Sequence, residues 1–224
     1  LNAGKRTLCV VSELENKCRK AARSRKRRLN RGQLIHYATL LMKILMLSID
    51  GSILREGSEA QERMKEYGGI AEELHIIVYT APGFEERKIS ENVWIYPTNT
   101  VVKPLYFFNA YKIAKKVLEV GLPSGSPTSN SLEWLITSQD AFTNVIALCL
   151  KKKFGIPFQA QIHTDFLSPY FKKESLKNYI RYLLYSRTIK KADCVRVVSE
   201  RIKASLISTL HIPLSKVSIL PIFI

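Results

Sequence analysis

From Met42 onward the chain switches repeatedly between two hydrophobic periods. Lys43–Ile49 is a short apolar run, long enough for a buried strand and too short for a helix. Asp50-Gly51-Ser52 breaks it. Ser58 then offers a cap, Glu59 and Glu62 suit a first helical turn, and Gly68-Gly69 weakens or ends a helix predicted over 58–73. The β-branched and aromatic stretch 74–80 predicts a second strand, and 92–97 a third. A helical period follows over 105–120. The Gly-, Pro-, Ser- and Thr-rich stretch 121–131 reads as a loop. Further strands are predicted at 132–137, 158–163, 194–198 and 217–222, and helices at 141–153, 174–191 and 200–210. Strands alternating with helices of this length predict crossover connections. The expected fold class is α/β, an open, mostly parallel Rossmann-like sheet of about seven strands with helices on both faces.

Composition narrows this little: 46% hydrophobic and 24% charged residues exclude collagen, coiled coil and wholesale disorder. Charge changes the picture more. The formal net charge is +16, and residues 1–41 alone hold eleven Lys/Arg against two Glu, a net of +9. The densest run is Arg19 to Arg28. Such a run repels itself in a compact state and suits anionic partners. The chain starts at Leu1, whereas Met42 is followed by Lys43 and a buried strand, so 1–41 is expected to be a disordered or non-native leader and 42–224 the folded domain. The apolar stretch 38–49 contains Lys43 and is about a dozen residues long, short of the ~20 needed to cross a bilayer. No cleavage-site pattern follows it. A cytoplasmic protein is expected, touching at most the inner face of a membrane. The four cysteines show no C-x-x-C spacing and read as reduced thiols.

Neither G-x-G-x-x-G after the first strand nor G-x-x-x-x-G-K-[ST] occurs, so dinucleotide and P-loop readings lack support. In open α/β sheets ligands sit outside the carboxyl ends of the strands, which directs attention to five short segments, 48–52, 80–83, 137–140, 163–165 and 199–200. After the first strand, Gly51 lets backbone approach a ligand and Ser52 offers N–H and O–H donors; an ordinary turn is the plainer alternative. Gln139 and Asp140 leave the fourth strand with an amide and a carboxylate suited to a polyhydroxylated ligand, although Asp140 can equally cap the following helix. His163 and Asp165 end the fifth strand. His163 could act on a reacting oxygen or be structural. Ser199 and Glu200 follow the sixth strand, where Ser199 also reads as an N-cap. His163 and Asp165 are the only metal-ligand candidates at this spacing, and no metal is expected. The basic stretch 172–191, interleaved with aromatics, could meet anionic lipid or nucleic acid, or be a solvated helix face.

Taken together, Ile136 to Asp140, Lys151 to Pro157, Gln161 to Asp165 and Ala192 to Glu200 resemble the amino-terminal domain of glycosyltransferase family 4, retaining enzymes of the GT-B architecture. The resemblance covers roughly 42–224. It implies one of two facing Rossmann-like domains, the one that mainly binds the acceptor, and a nucleotide-sugar co-substrate with neither cofactor nor metal. By position it puts His163 near the transferred sugar, Gln139, Asp140 and Asp165 on the acceptor side, and Gly51, Ser52, Ser199 and Glu200 facing the donor phosphates. The family often has a Gly-Gly pair where only Gly51 stands here. The acceptor would be a glycan or lipid-linked molecule, with peripheral contact to anionic membrane and no role for nucleic acid. The family's donor-binding domain, with its paired Glu motif, is not found before Ile224. The chain is therefore expected to transfer sugar negligibly by itself, and a separate chain or further domain to supply that half. Two other readings stay open: a non-catalytic basic module binding membrane or nucleic acid, and the first domain of a sugar-nucleotide epimerase.

Overall fold

The computed structural model describes residues 42–102, 104–122 and 133–220. The expected leader 1–41, most of the predicted loop 121–131 and the chain end from 221 lie outside the described residues. Eight strands form one sheet: β1 (Lys43–Ser48), β2 (Glu73–Val78), β3 (Arg87–Ser90), β4 (Val93–Pro97), β5 (Trp134–Ser138), β6 (Phe158–Ile162), β7 (Cys194–Val197) and β8 (Val217–Ile219). Their order is β3-β4-β2-β1-β5-β6-β7-β8, and every pairing is parallel except β3 with β4. The α-helices are α1 (Glu59–Gly68), α2 (Leu105–Gly121), α3 (Ala141–Phe154), α4 (Pro169–Glu174), α5 (Leu176–Thr188) and α6 (Glu200–Leu210).

The α/β class is as the sequence predicts, with three differences. The eighth strand, β3, is a four-residue edge strand of sequence Arg-Lys-Ile-Ser. It carries no run of apolar residues because an edge strand is only half covered, and charged side chains there discourage pairing with another chain. The helix predicted over 58–73 ends at Gly68, which abuts β4. A Cβ added at Gly68 would lie 2.4 Å from Val93 Cγ2, so only glycine lets the helix end press against the sheet. The helix predicted over 174–191 starts at Leu176, because Ser175 is extended and its hydroxyl caps α5 by accepting from Asn178 N–H, and it continues past Thr188 as a 3₁₀ turn, Ile189–Lys191; the short helix α4 before it was not predicted.

Strand register sorts the side chains onto two faces. On one, Leu45, Leu47, Ile136, Phe158, Ala160 and Val195 are fully buried against α2, α3, α5 and α6. Burying one such Leu or Ile side chain contributes about 1.5–3 kcal/mol. On the other, Met46, Leu74, Ile76 and Val93 pack with Ala60 and Met64 of α1 and with Ile53 and Leu54 of a short 3₁₀ turn, Gly51–Leu54. Helices thus lie on both faces. On the α1 face, however, the apolar pattern stops at β1. Register continues that face through Thr137, then Gln159 and Gln161, then Arg196. A parallel sheet normally reads as near-continuous apolar strands on both faces, so these polar side chains call for an explanation.

No helix among the described residues is long and apolar enough to cross a membrane.

Candidate functional site at the carboxyl edge of the sheet

Connections run outward from β1 in both directions, so the topological switch point lies between β1 and β5, where open sheets of this kind bind ligands. One hydrogen bond bridges it: Ser48 Oγ donates to Gln139 Oε1 at 2.9 Å. Gln139 Nε2 turns to Met46 Sδ at 3.8 Å. Gln139 therefore faces the α1 side of the sheet, with its amide held by neighbours from β1.

Asp140, the next residue, faces away from it. Its carboxylate accepts from Phe142 N–H at 3.0 Å in a capping box that starts α3, and Arg181 Nε of α5 lies 3.2 Å from its other oxygen. Arg181 also lies over the Phe142 ring. Burial and then the Asp140 charge push the Tyr79 hydroxyl well above the usual phenol range, and the same two causes lead for Tyr185. Both phenols therefore stay protonated. Tyr79 Oη is buried with no hydrogen-bond partner among the described residues. The predicted pair Gln139 and Asp140 thus splits between the two faces of the sheet.

Gly51 and Ser52 lie in the 3₁₀ turn after β1. Nothing comes within 4 Å of a Cβ built on Gly51, so the protein itself imposes no need for glycine there. Ser52 directs both its donors inward: its N–H and its Oγ each go to Asp50 Oδ1. A carboxylate thus occupies the place an anion would take. Ser199 caps α6 by accepting from Ile202 N–H at 3.4 Å. Glu200 is exposed and lies 3.7 Å from Lys203, and Asp165 lies 3.6 Å from Arg201.

His163 stands just beyond β6 at the same edge. Its ring makes no hydrogen bond among the described residues. Desolvation by the surrounding protein lowers its pKa, and the positive charges of Arg196 and Arg63 lower it further. The ring is thereby held neutral near pH 7, able to donate from one nitrogen and accept at the other. Below it runs a chain of polar contacts across the α1 face. Arg196 Nη1 donates to Gln161 Oε1 at 3.4 Å, Gln161 Nε2 donates to Thr137 Oγ1 at 2.8 Å, and Thr137 Oγ1 to Gln159 Oε1 at 3.4 Å. The chain fixes the Gln161 amide in one orientation and ties Arg196 to β6.

Of the predicted residues, Gln139 pairs with Ser48 at the ends of β5 and β1, and His163 stands just beyond β6, two residues after the Gln161 that Arg196 holds. The structure engages Asp140, Ser52, Ser199, Asp165 and Glu200 with partners of their own. Sequence reasoning passed over Gln161 and Arg196 as site residues. A signal was present: in Phe158-Gln159-Ala160-Gln161-Ile162 and Cys194-Val195-Arg196-Val197 polar residues alternate within strands that lie inside the sheet. Among the described residues no three His, Cys, Asp or Glu side chains gather as metal ligands would.

Parallel order, helices on both faces and a polar carboxyl edge define an open α/β domain of Rossmann-like type. Residues 135–224 match the family model of Glycosyltransferase Family 4. No curated protein matches the chain by sequence. Among solved structures, one of sucrose-phosphate synthase from Thermosynechococcus elongatus aligns with a TM-score of 0.53 and 14% identity, over 81% of this chain and 90% of that one. A second structure of that enzyme aligns with a TM-score of 0.56 and 15% identity, over 80% of this chain and 48% of that one. This chain therefore spans about half the length of the second structure, and at such identities the likeness is one of fold.

Proposed function

We propose that the domain is the acceptor-side half of a retaining glycosyltransferase that moves a sugar from a nucleotide-sugar donor to a glycan or lipid-linked acceptor. The match of residues 135–224 to Glycosyltransferase Family 4 carries this reading. It is supported by the hydrogen-bonded polar side chains near the carboxyl ends of β1, β5, β6 and β7. His163 is the group assigned to the reacting sugar. A neutral imidazole can hydrogen-bond a sugar hydroxyl or a developing charge without a metal. Gln139, with Ser48 behind it, is assigned to acceptor hydroxyls.

Donor diphosphate is assigned to a facing domain. The turn at Gly51 and Ser52 would have to release Asp50 before it could hold a phosphate, because both Ser52 donors are spent on that carboxylate. Stabilising the departing diphosphate is the largest expected contribution to rate in such a transfer. The 224-residue chain is therefore expected to give no measurable transfer alone, and to gain it when a donor-binding domain is supplied. Transfer of labelled sugar from nucleotide-sugar donors, measured with and without that domain, tests the assignment. Robust turnover by the chain alone would sink it. In the reconstituted enzyme His163→Ala should lower kcat by about 10²-fold or more, and an unchanged rate would remove His163 from the reaction.

The same reading includes peripheral membrane contact through α4 and α5. Tyr170, Leu176, Tyr179 and Ile180 are exposed there beside Lys172, Lys173 and Lys177. Apolar and aromatic groups flanked by lysines suit an anionic lipid surface.

A further inference from the structure

His75 is a buried titratable group in the amino half of β2, and both of its ring nitrogens are engaged. It is 9% exposed and stands in register with Trp94 of β4. Its Nε2 lies 3.1 Å from Glu73 Oε2, and its Nδ1 lies 2.9 Å from Tyr96 Oη. Burial works against the Glu73 charge, but the Lys43 ammonium, 2.9 Å from the other carboxyl oxygen, outweighs it and lowers the Glu73 pKa. An ionised carboxylate only accepts hydrogen bonds. The hydrogen of the neutral ring is therefore on Nε2, which leaves Nδ1 to accept from the Tyr96 hydroxyl. Burial and then the charges of Glu86 and Glu73 push the Tyr96 phenol up to about 12, so it keeps the proton it donates. Trp94 stacks on the His75 ring with centroids 4.7 Å apart and planes 6° apart, and Trp134 of β5 lies at 5.5 Å. Glu72 lies 3.7 Å from Lys43 Nζ, and Lys88 of β3 lies over the Trp94 ring. From the covering helix α2, Ala110, Ala114 and Leu118 turn to the sheet, and the titratable Tyr111 packs against the same core.

An imidazolium carries a hydrogen on both nitrogens. A proton added at Nδ1 would face the Tyr96 hydroxyl hydrogen, so the hydroxyl would have to turn away, and it has no second partner among the described residues. The side-chain link between β2 and β4 on this face thus holds with a neutral ring and fails with a charged one. We propose that His75 is an acid-sensitive latch that fastens β4, and with it the edge strand β3, to β2 through Tyr96. Val93 and Ile95 stay packed on the opposite face, so the strand loosens rather than detaches. The effect reaches the carboxyl edge, because β4 runs on into Thr98 and Asn99. Thr98 Oγ1 accepts from Thr80 N–H at 2.9 Å, and Asn99 Nδ2 donates to the Phe84 carbonyl at 2.7 Å. The loops after β2 and β4 therefore loosen with the strand. The latch does not depend on the domain being a glycosyltransferase half.

Hydrogen exchange of the β3 and β4 amides in the full chain, expressed as protection relative to intrinsic rates, tests this between about pH 8 and about pH 5, either side of the ordinary histidine value. On the acid side their protection should fall on the order of tenfold, the loss of roughly one hydrogen bond, while β5 and β6 keep theirs. His75→Gln preserves both bonds, its amide donating to Glu73 and accepting from Tyr96, and gains no charge in acid. It should abolish the fall. Tyr96→Phe removes the donor, so β3 and β4 should already be less protected at about pH 8 and change little below it. The chain's two tryptophans both touch His75, so their fluorescence follows its titration, and quenching on acidification should vanish in His75→Gln. An equal acid loss of protection in wild type and His75→Gln would overturn the proposal. So would wild-type protection that stays constant while fluorescence reports the titration, or a hydrogen found on Nδ1 by nitrogen NMR at about pH 8. Should circular dichroism show His75→Gln misfolded, Tyr96→Phe decides: an acid loss as large as that of wild type would overturn the latch.

Discussion

His163 shows how much a side chain's chemistry depends on residues far from it in sequence. Its lowered pKa comes from desolvation first, and then from Arg196, which is 33 positions away, and Arg63, which is 100 positions away. Removing a positive charge makes protonation easier. Arg63→Ala should therefore raise the His163 pKa toward its ordinary 6.5, and Arg63→Glu should raise it further. Proton NMR of the ring across pH 4–9, about two units either side of the ordinary histidine value, measures this; an unmoved titration would show that Arg63 does not act on the ring. His75 is lowered too, by burial, with Glu73 opposing. For both rings the folded state binds protons less readily than the unfolded chain. Their effect on stability is absent above about pH 6.5, grows as pH falls through that value, and levels off once pH is below the folded pKa. Asp140 and Gln139 make a second residue-scale point. They are adjacent in sequence and point to opposite faces, so one caps α3 and pairs with Arg181 while the other faces the candidate site.

At the scale of elements, much of what made the sequence recognisable builds the scaffold. In the stretch 151–157, Gly155 ends α3 with φ 68, a left-handed conformation that glycine takes without strain. Ile156 behind it is fully buried. Asp193 accepts from Phe158 N–H at 2.8 Å and pairs with Lys151 at 2.7 Å, tying the starts of β6 and β7 to the end of α3. Gly155→Ala should cost about 1 kcal/mol, from the left-handed backbone alone. Gly68→Ala should cost more, about 1–3 kcal/mol, because its methyl would have to push back Val93 on β4. Urea unfolding midpoints of the two variants check the order; a neutral Gly68→Ala would mean α1 shifts freely on the sheet. These elements were legible because each follows from local rules: a strand-length apolar run, a cap and a glycine stop. The short helix α4 before Ser175 was less legible, since its six residues show too few turns for a helical period. The edge strand β3 was illegible for want of an apolar run.

At the scale of the whole molecule, the charge total divides by place. Residues 1–41 hold +9 of the +16. Within the domain, Lys172, Lys173 and Lys177 accompany exposed Tyr170 and Leu176 on α4 and α5, whereas Arg196 stands at the candidate site. The first group should bind vesicles containing anionic lipid and ignore purely zwitterionic ones. With residues 1–41 removed so that their charge does not contribute, replacing the three lysines by Gln should weaken binding on the order of a hundredfold, at about 1 kcal/mol per lysine. Vesicle co-sedimentation reads this out, and binding indifferent to lipid charge would refute it.

The sequence by itself determined the α/β class, most strand and helix positions and the carboxyl edge where a ligand would sit. Each of these depends on periods and caps a few residues long. Only the tertiary structure decided which candidates meet. Strand order put β1 beside β5 and β6 beside β7. Register set Thr137, Gln161 and Arg196 on one face. Packing put Ala60 and Met64 of α1 on that face over β1, β2 and β4, while Ser52 turned to Asp50 and Asp140 to Arg181. Such pairings join residues tens of positions apart through the sheet, and no local pattern along the chain encodes them.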